Sequence, residues 1–502
     1  MEISDLTPAE RRVWQAFSLG EGVDFRIGAV DDPSLGAAWG PERTVRARVL
    51  RTLLIDGPAR DGEIAGLKLT GARVTGRLDL TYGTIDHPIR LRSCHFEHAP
   101  HLYGAQIRAL VLSDSVLPGL SAATLRVDGV LRITGCRIAG PVRLQGAKIT
   151  GAFFLNKAHL GHPATPGRAA RPSTPDHEAT EEPILQLNHA EIGTDVWAVG
   201  VVAHGQVRLD AATVVGQVNL EDAHLHAPGD TALQAETLSV GTHLHGLRLR
   251  TDGQVVLDGV HIPRHLNLSH AQLSNPGGEA LRASSCVVGE LWLHGAAPIV
   301  GSVDLRRAQI DLLHVLPDIW PAQVGVDGLS YRTLAPHLPA EQRLPLLERE
   351  AGGYLPYSYE QLTTAYRAAG DDAAARTVQL AKLRRHRRTL PWYAHFWGHL
   401  QDVTVGYGFR PLRAAGWLLL LLLIGAVAFT LDHPRAMKPD EAPDFNPVVY
   451  TIDLLLPVIN FGQESAFAPR GWHQWLSYLL IATGWVLATT AAAGITRSLN
   501  RQ

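Results

Sequence analysis

Between about residue 65 and residue 310, apolar and polar positions repeat every eleven residues. Three consecutive units read GVLRITGCRIA, GPVRLQGAKIT and GAFFLNKAHLG, starting at Gly129, Gly140 and Gly151. Apolar residues stand at the third and fifth positions (Leu131/Ile133, Val142/Leu144, Phe153/Leu155). The eighth is small (Cys136, Ala147, Ala158) and the tenth is large and apolar (Ile138, Ile149, Leu160). The template also fits units opening at Ala65, Gly76, His87, Gly205, Gly216, Gly253, Arg264 and Gly301. Apolar residues two apart share one face of a short strand. The next inward position arrives about five residues later, a step that suits a corner and a further strand better than one helical face. Two units then make one coil of roughly 22 residues in a stacked β-solenoid, whose coils bury their apolar sides only against one another. The glycines are expected to permit the turns.

Runs such as Leu209-Asp210-Ala211-Ala212-Thr213-Val214 and Leu220-Glu221-Asp222-Ala223-His224-Leu225 resemble pentapeptide-repeat and related right-handed β-helix proteins. The resemblance covers about half the chain and implies a mainly β scaffold. The alternating five-then-six spacing departs from the strict pentapeptide pattern and predicts a variant of the four-sided coil.

Solenoid ends need caps. Residues 1–60 supply a helical one, with Thr7-Pro8-Ala9-Glu10 and Pro41-Glu42 as helix starts. Residues 161–182, rich in Pro, Gly and charge, interrupt the repeat and predict a disordered loop extruded from one coil. The β-helix domain is expected over 61–330. A helical region follows over 331–400, opened near Ser358 by a capping box and broken at Gly370-Asp371. Its end carries Arg384, Arg385, Arg387 and Arg388, placed to meet anionic lipid headgroups.

The last segment, 401–502, holds two uncharged stretches, Ala414–Leu431 and Trp475–Thr496. Each is long enough on paper to span a bilayer, and flanking arginines set both termini and the solenoid in the cytoplasm. This predicts two transmembrane helices in a bacterial cytoplasmic membrane. Between them, Asn446-Pro447 opens an apolar stretch with Asp453 inside it, followed by Val458, Ile459, Asn460, Phe461 and Gly462. That layout resembles the two-span potassium-channel family, with 458–462 as a filter-like re-entrant segment and Asp453 as an intramembrane acid. Asn460 replaces the first filter glycine, which puts potassium selectivity in doubt. The five residues at 404–408 spell TVGYG but precede the first span, so they read as a turn. Tyr407, Gly408, Arg410, Pro411 and Arg413 resemble the approach to the first span in bacterial proteins that join pentapeptide repeats to channel-like pores.

Composition narrows the classes. A net charge of −2 over 502 residues argues against a nucleic-acid partner. Cys94, Cys136 and Cys286 lie too far apart for a metal or redox motif. Actinobacterial proteins of this look are often labelled membrane-associated oxidoreductases, yet no dinucleotide, phosphate-loop, hydrolase or haem motif supports an enzyme. No cofactor is expected. His224/His226 and His243/His245 have same-face strand spacing but lack an acid or thiol partner in sequence, so no metal site is assigned. The leading expectation is a membrane-anchored solenoid scaffold or sensor, with membrane lipids, a homo-oligomer and an unidentified ligand or protein as partners. An oligomeric channel gated by the solenoid is the alternative, and a redox enzyme the third.

Overall fold

The computed structural model describes residues 5–28, 31–58, 62–163, 182–350, 353–387, 411–438, 443–456 and 461–499. The chain forms two compact units, Met1–Gly370 and Asp371–Gln502.

The first unit is a β-solenoid of about 11 turns. A representative coil carries four two-residue strands, Leu131–Arg132, Arg137–Ile138, Val142–Arg143 and Lys148–Ile149. The first and last belong to one parallel sheet and the middle two to another. One inward column runs along the axis from Leu67 through Ile89, Leu110, Leu131 and Phe153, each paired with the next. Neighbours in this column stand one expected coil apart, so two eleven-residue units make the stacking period.

The structure also explains the five-then-six spacing. Each five-residue step between inward positions, such as Ile133 to Ile138, contains a corner residue in left-handed backbone: Gly135 (φ 67°), Gly146 (φ 63°), then Lys157 (φ 55°). The small eighth residue closes that turn, as Cys136 N–H donates to the Ile133 carbonyl at 3.2 Å and Ala147 N–H to Leu144 at 3.0 Å. Cys136 and Ala147 are fully buried. Burial also pushes the Cys94, Cys136 and Cys286 thiols up to about 12, so they behave as small apolar side chains. Glycines permit these turns at Gly135 and Gly146, and the unit-opening Gly76, Gly205, Gly253 and Gly301 also hold positive φ, whereas Gly129, Gly140 and Gly151 serve close packing. A Cβ on Gly140 would stand 2.6 Å from the Pro118 carbonyl oxygen of the neighbouring coil. Gly129, Gly140 and Gly151 allow coil to approach coil, and the turn falls six residues further on.

The interruption at 161–182 is bracketed by pairing. Val142 pairs with Leu185 and Phe153 with Val196, about twice the ordinary step in each case. The extra chain leaves the ladder after Leu160, and 164–181 lie outside the described residues.

The N-terminal cap is α1 (Pro8–Leu19), a short strand Gly22–Asp24, and α2 (Ala47–Asp56). Thr7 and Glu10 form a reciprocal capping box. The Glu10 carboxylate, wholly buried, pairs with Arg46 at 2.5 Å. Burial pushes its pKa up, but the bonds from Arg46 and Thr7 outweigh this and hold it below the usual range. Gly22–Asp24 pairs in parallel with Lys68–Thr70, so the cap covers the open edge of the first coil. At the other end, α3 (Ala340–Glu348) and α4 (Pro356–Ala368) follow the last strand, Ser330–Ala335. Arg343 and Gln361 bond backbone carbonyls of the final coils.

The second unit contains α5 (Asp372–Arg387), α6 (Pro411–Leu431), α7 (Pro447–Leu455), α8 (Gln463–Ala466) and α9 (Trp472–Leu499). Phe429, Tyr450, Leu454, Leu455, Phe467 and Leu480 make its core. This corrects the membrane expectation. Among the described residues, no helix is long and apolar enough to cross a membrane. The inner faces of α6 and α9 pack against α7 and against each other. The two transmembrane helices, the integral-membrane and channel functions and the cytoplasmic-membrane location are not supported. Hydropathy counted along the chain takes a buried helix–helix face and a lipid-facing one as the same signal.

Candidate metal centre

The solenoid brings together residues that the linear sequence keeps apart. On the outer face of one sheet, successive coils place His204, His226 and Asp252 in a single column. His224 stands two residues before His226 on the same strand, with Leu225 between them turned inward and fully buried. Asp252 is placed in the same way beside the buried Thr251.

The three groups converge. His226 Nδ1 lies 2.9 Å and His224 Nε2 3.1 Å from the same oxygen, Asp252 Oδ2. All three ligand atoms fall within 4.8 Å of one another, the one such group among the described residues. The side chains are 41 %, 35 % and 45 % exposed for His224, His226 and Asp252, so the site opens to solvent. Burial pushes the Asp252 pKa up, but the two imidazole bonds prevail and keep the carboxylate readily ionised. One coil earlier, the His204 ring meets His226 edge-on, with centroids 5.7 Å apart. Its buried Nδ1 has no hydrogen-bond partner. Burial, then the neighbouring His226 and His224, lower its pKa and keep the ring neutral.

Local chain irregularity sets this geometry. The pairing of the strand containing His226 with the strand containing Asp252 shifts register between His226 and Thr231. The pairing of the Asp252 strand with the next strand of that sheet, Gln272–Arg282, also shifts register between Asp252 and Val255. Bulges of this kind re-aim side chains. Gly253 makes the shift feasible: its φ is 133°, and a Cβ there would lie 2.4 Å from the Ala227 carbonyl oxygen.

The second pair from the sequence, His243/His245, is on the other sheet and forms a different arrangement. Its rings stack at 5.2 Å, and His265 stacks on His243 at 4.7 Å. His265 Nδ1 lies 3.0 Å from Glu290 Oε2 without hydrogen-bond geometry, and that oxygen accepts from Trp292 Nε1.

The remaining candidates are spread over the second unit. Asp453 is 3 % exposed and accepts three backbone N–H bonds, from Phe461 (2.5 Å), Gln463 (2.8 Å) and Glu464 (3.1 Å). It caps the N-terminus of α8 and ties that turn to α7. Phe461 is exposed, and Gly462 takes left-handed backbone (φ 84°). Val458, Ile459 and Asn460 lie outside the described residues, as do Arg388, Tyr407, Gly408 and Arg410. Arg384 and Arg385 lie on α5, and Arg387 ends it. Pro411 and Arg413 belong to the first turn of α6.

No family model, curated protein or solved structure matches this chain.

Proposed function

We propose that the chain is a β-solenoid scaffold, of a kind similar to pentapeptide-repeat β-helices, that holds a divalent transition-metal ion on its outer face. The observation that carries this reading is the convergence of His224 Nε2, His226 Nδ1 and Asp252 Oδ2. In a tetrahedral site with bonds of about 2.0–2.1 Å, neighbouring ligand atoms lie about 3.4 Å apart. The observed 2.9 and 3.1 Å edges therefore need to open by only a few tenths of an ångström to admit an ion. Two imidazoles and one carboxylate suit zinc, nickel or copper, whereas magnesium and calcium prefer oxygen donors throughout. Metal and proton compete for the imidazole nitrogens, so binding weakens in acid. The open side leaves a coordination position for water or for a donor from a bound partner.

Isothermal titration calorimetry of the full chain with zinc chloride tests the proposal. One site per chain is expected, lost in Asp252→Asn and His226→Gln and retained in His261→Gln on the other sheet. Unchanged zinc binding in both site variants would sink it.

A further inference from the structure

The far end of the solenoid holds a second feature, independent of the metal centre. Arg343 on α3 is 6 % exposed. Its Nη1 donates to the Val315 carbonyl at 3.4 Å and its Nη2 to the Pro336 carbonyl at 2.5 Å. The Tyr366 hydroxyl is its remaining partner. These contacts do not use up the five N–H donors of a guanidinium. Among the described residues, no carboxylate lies within ion-pair distance of it. A buried charge with only neutral partners is unfavourable, and such groups are ordinarily paired.

Beside this guanidinium is a cavity of about 280 Å³. Its walls combine Arg343 and Tyr366 with the apolar Leu334, Leu338, Leu362 and Ala365. Arg332 stands at the rim, 80 % exposed and 3.5 Å from Asp311, so it leaves the inner charge to Arg343. A space of this size, mostly apolar, with Arg343 as its buried cation and Thr333, His337 and Tyr366 as further polar lining, fits the lower end of small-molecule sites.

We propose that this cavity binds a small aliphatic monocarboxylate, with its carboxylate on Arg343 and its hydrocarbon chain along Leu334, Leu338 and Leu362. The planar guanidinium offers parallel N–H donors that match a carboxylate. One buried cation balances one negative charge, which favours a carboxylate over a phosphate dianion. The apolar walls take the chain, and their extent limits its length.

The test is calorimetric titration of the full chain with straight-chain carboxylates from butanoate to decanoate, each beside its uncharged primary amide. Affinity is expected to rise with chain length and then stop rising once the cavity is full. Each amide is expected to bind at least tenfold more weakly than its acid. Arg343→Gln should abolish the preference for the acid. Because that change touches a buried group, Ala369→Trp at the exposed part of the lining serves as a second variant and should block binding while the thermal transition is kept. Absence of binding across the series, equal affinity for acids and amides, or undiminished binding in Ala369→Trp would each overturn the proposal. Equal binding of butyl phosphate would overturn the monocarboxylate assignment.

Discussion

From Leu67 to Val218 successive coils differ in length by one residue at most, apart from the one interruption, and the strands are two to four residues long. Beyond Val218 some coils lengthen. Val218 pairs with Leu244 and Leu266 with Leu291, steps that exceed the regular coil by four and three positions. Strands there run to 11 residues and their pairing shifts register. Both halves share one inward column, so the core tolerates the change. What differs is the outer face. The regular half repeats one corner and one close approach per unit, whereas the irregular half gathers His224, His226, Asp252 and the stacked rings of His243, His245 and His265. Strict periodicity builds the stack, and departures from it position the chemistry.

The largest effect is expected from the regular half. Phe153 is fully buried between Leu131 and Val196 of the adjacent coils. Phe153→Ala should lower stability by about 3–5 kcal/mol in chemical denaturation, through lost transfer energy and the cavity left behind. In a linear stack the damage should also be local. Hydrogen exchange should accelerate first in the strands at 131–132 and 196–197. A loss below about 1 kcal/mol, or exchange rising evenly to Leu334, would mean that the coils do not act as neighbour-coupled layers.

The same contrast explains what could be read from the sequence. The eleven-residue template located the core because its inward positions, such as Leu131, Ile133, Cys136 and Ile138, are set by local alternation and one corner. Asp252 escaped because contact between coils depends on the total length of the intervening chain. One regular coil on from His226 stands Arg248. Ala227-Pro228-Gly229-Asp230, lying across the first register shift, lengthens the coil by four and brings Asp252 under His226 instead. The Pro-Gly pair in an otherwise regular repeat was the available signal. In the second unit, hydropathy marked α6 and α9 as apolar but held no information on which faces meet α7. Asp453 looked anomalous for the same reason, since the N–H groups it satisfies come from 461–464.

A smaller and graded effect should follow acidification, and it should reverse the ranking of the halves. His204, His243, His245 and His314 all have pKa values lowered from an ordinary 6.5, in each case first by burial. Neighbouring charge adds to this: His265, His245 and Arg264 face His243, His265 faces His245, and His294 and Arg343 face His314, with Glu221 opposing the trend at His245. Groups whose folded pKa is depressed bind more protons when unfolded, so stability falls as pH drops through the unfolded value near 6.5 and towards the folded one. Glu10 in the cap behaves as a carboxylate, and its contribution is lost only below its ordinary 4.5. Hydrogen exchange at pH 7.5 and 5.5 should therefore loosen the coils from His204 to His314 while the cap holds. Loosening of the cap first would break the assignment.

The smallest effect separates the two halves at equivalent corners. Lys157 and Arg248 both hold left-handed backbone, with φ of 55° and 56°. For a residue with a Cβ that conformation costs about 1–2 kcal/mol, while glycine loses about 0.5–1 kcal/mol more chain entropy on folding. Lys157 has no ion pair among the described residues, so Lys157→Gly should stabilise by a few tenths to about 1 kcal/mol. Arg248 instead pairs with Asp222 and Glu221, each at 2.6 Å. Pairs this open to solvent contribute little. Arg248→Gly should therefore gain nothing or lose slightly, because the strain relieved is offset by the bonds removed. Paired thermal melts of the two variants measure the difference directly. Equal gains would show that the ion-paired corner carries no more than geometry, and that the two halves differ only in chain length.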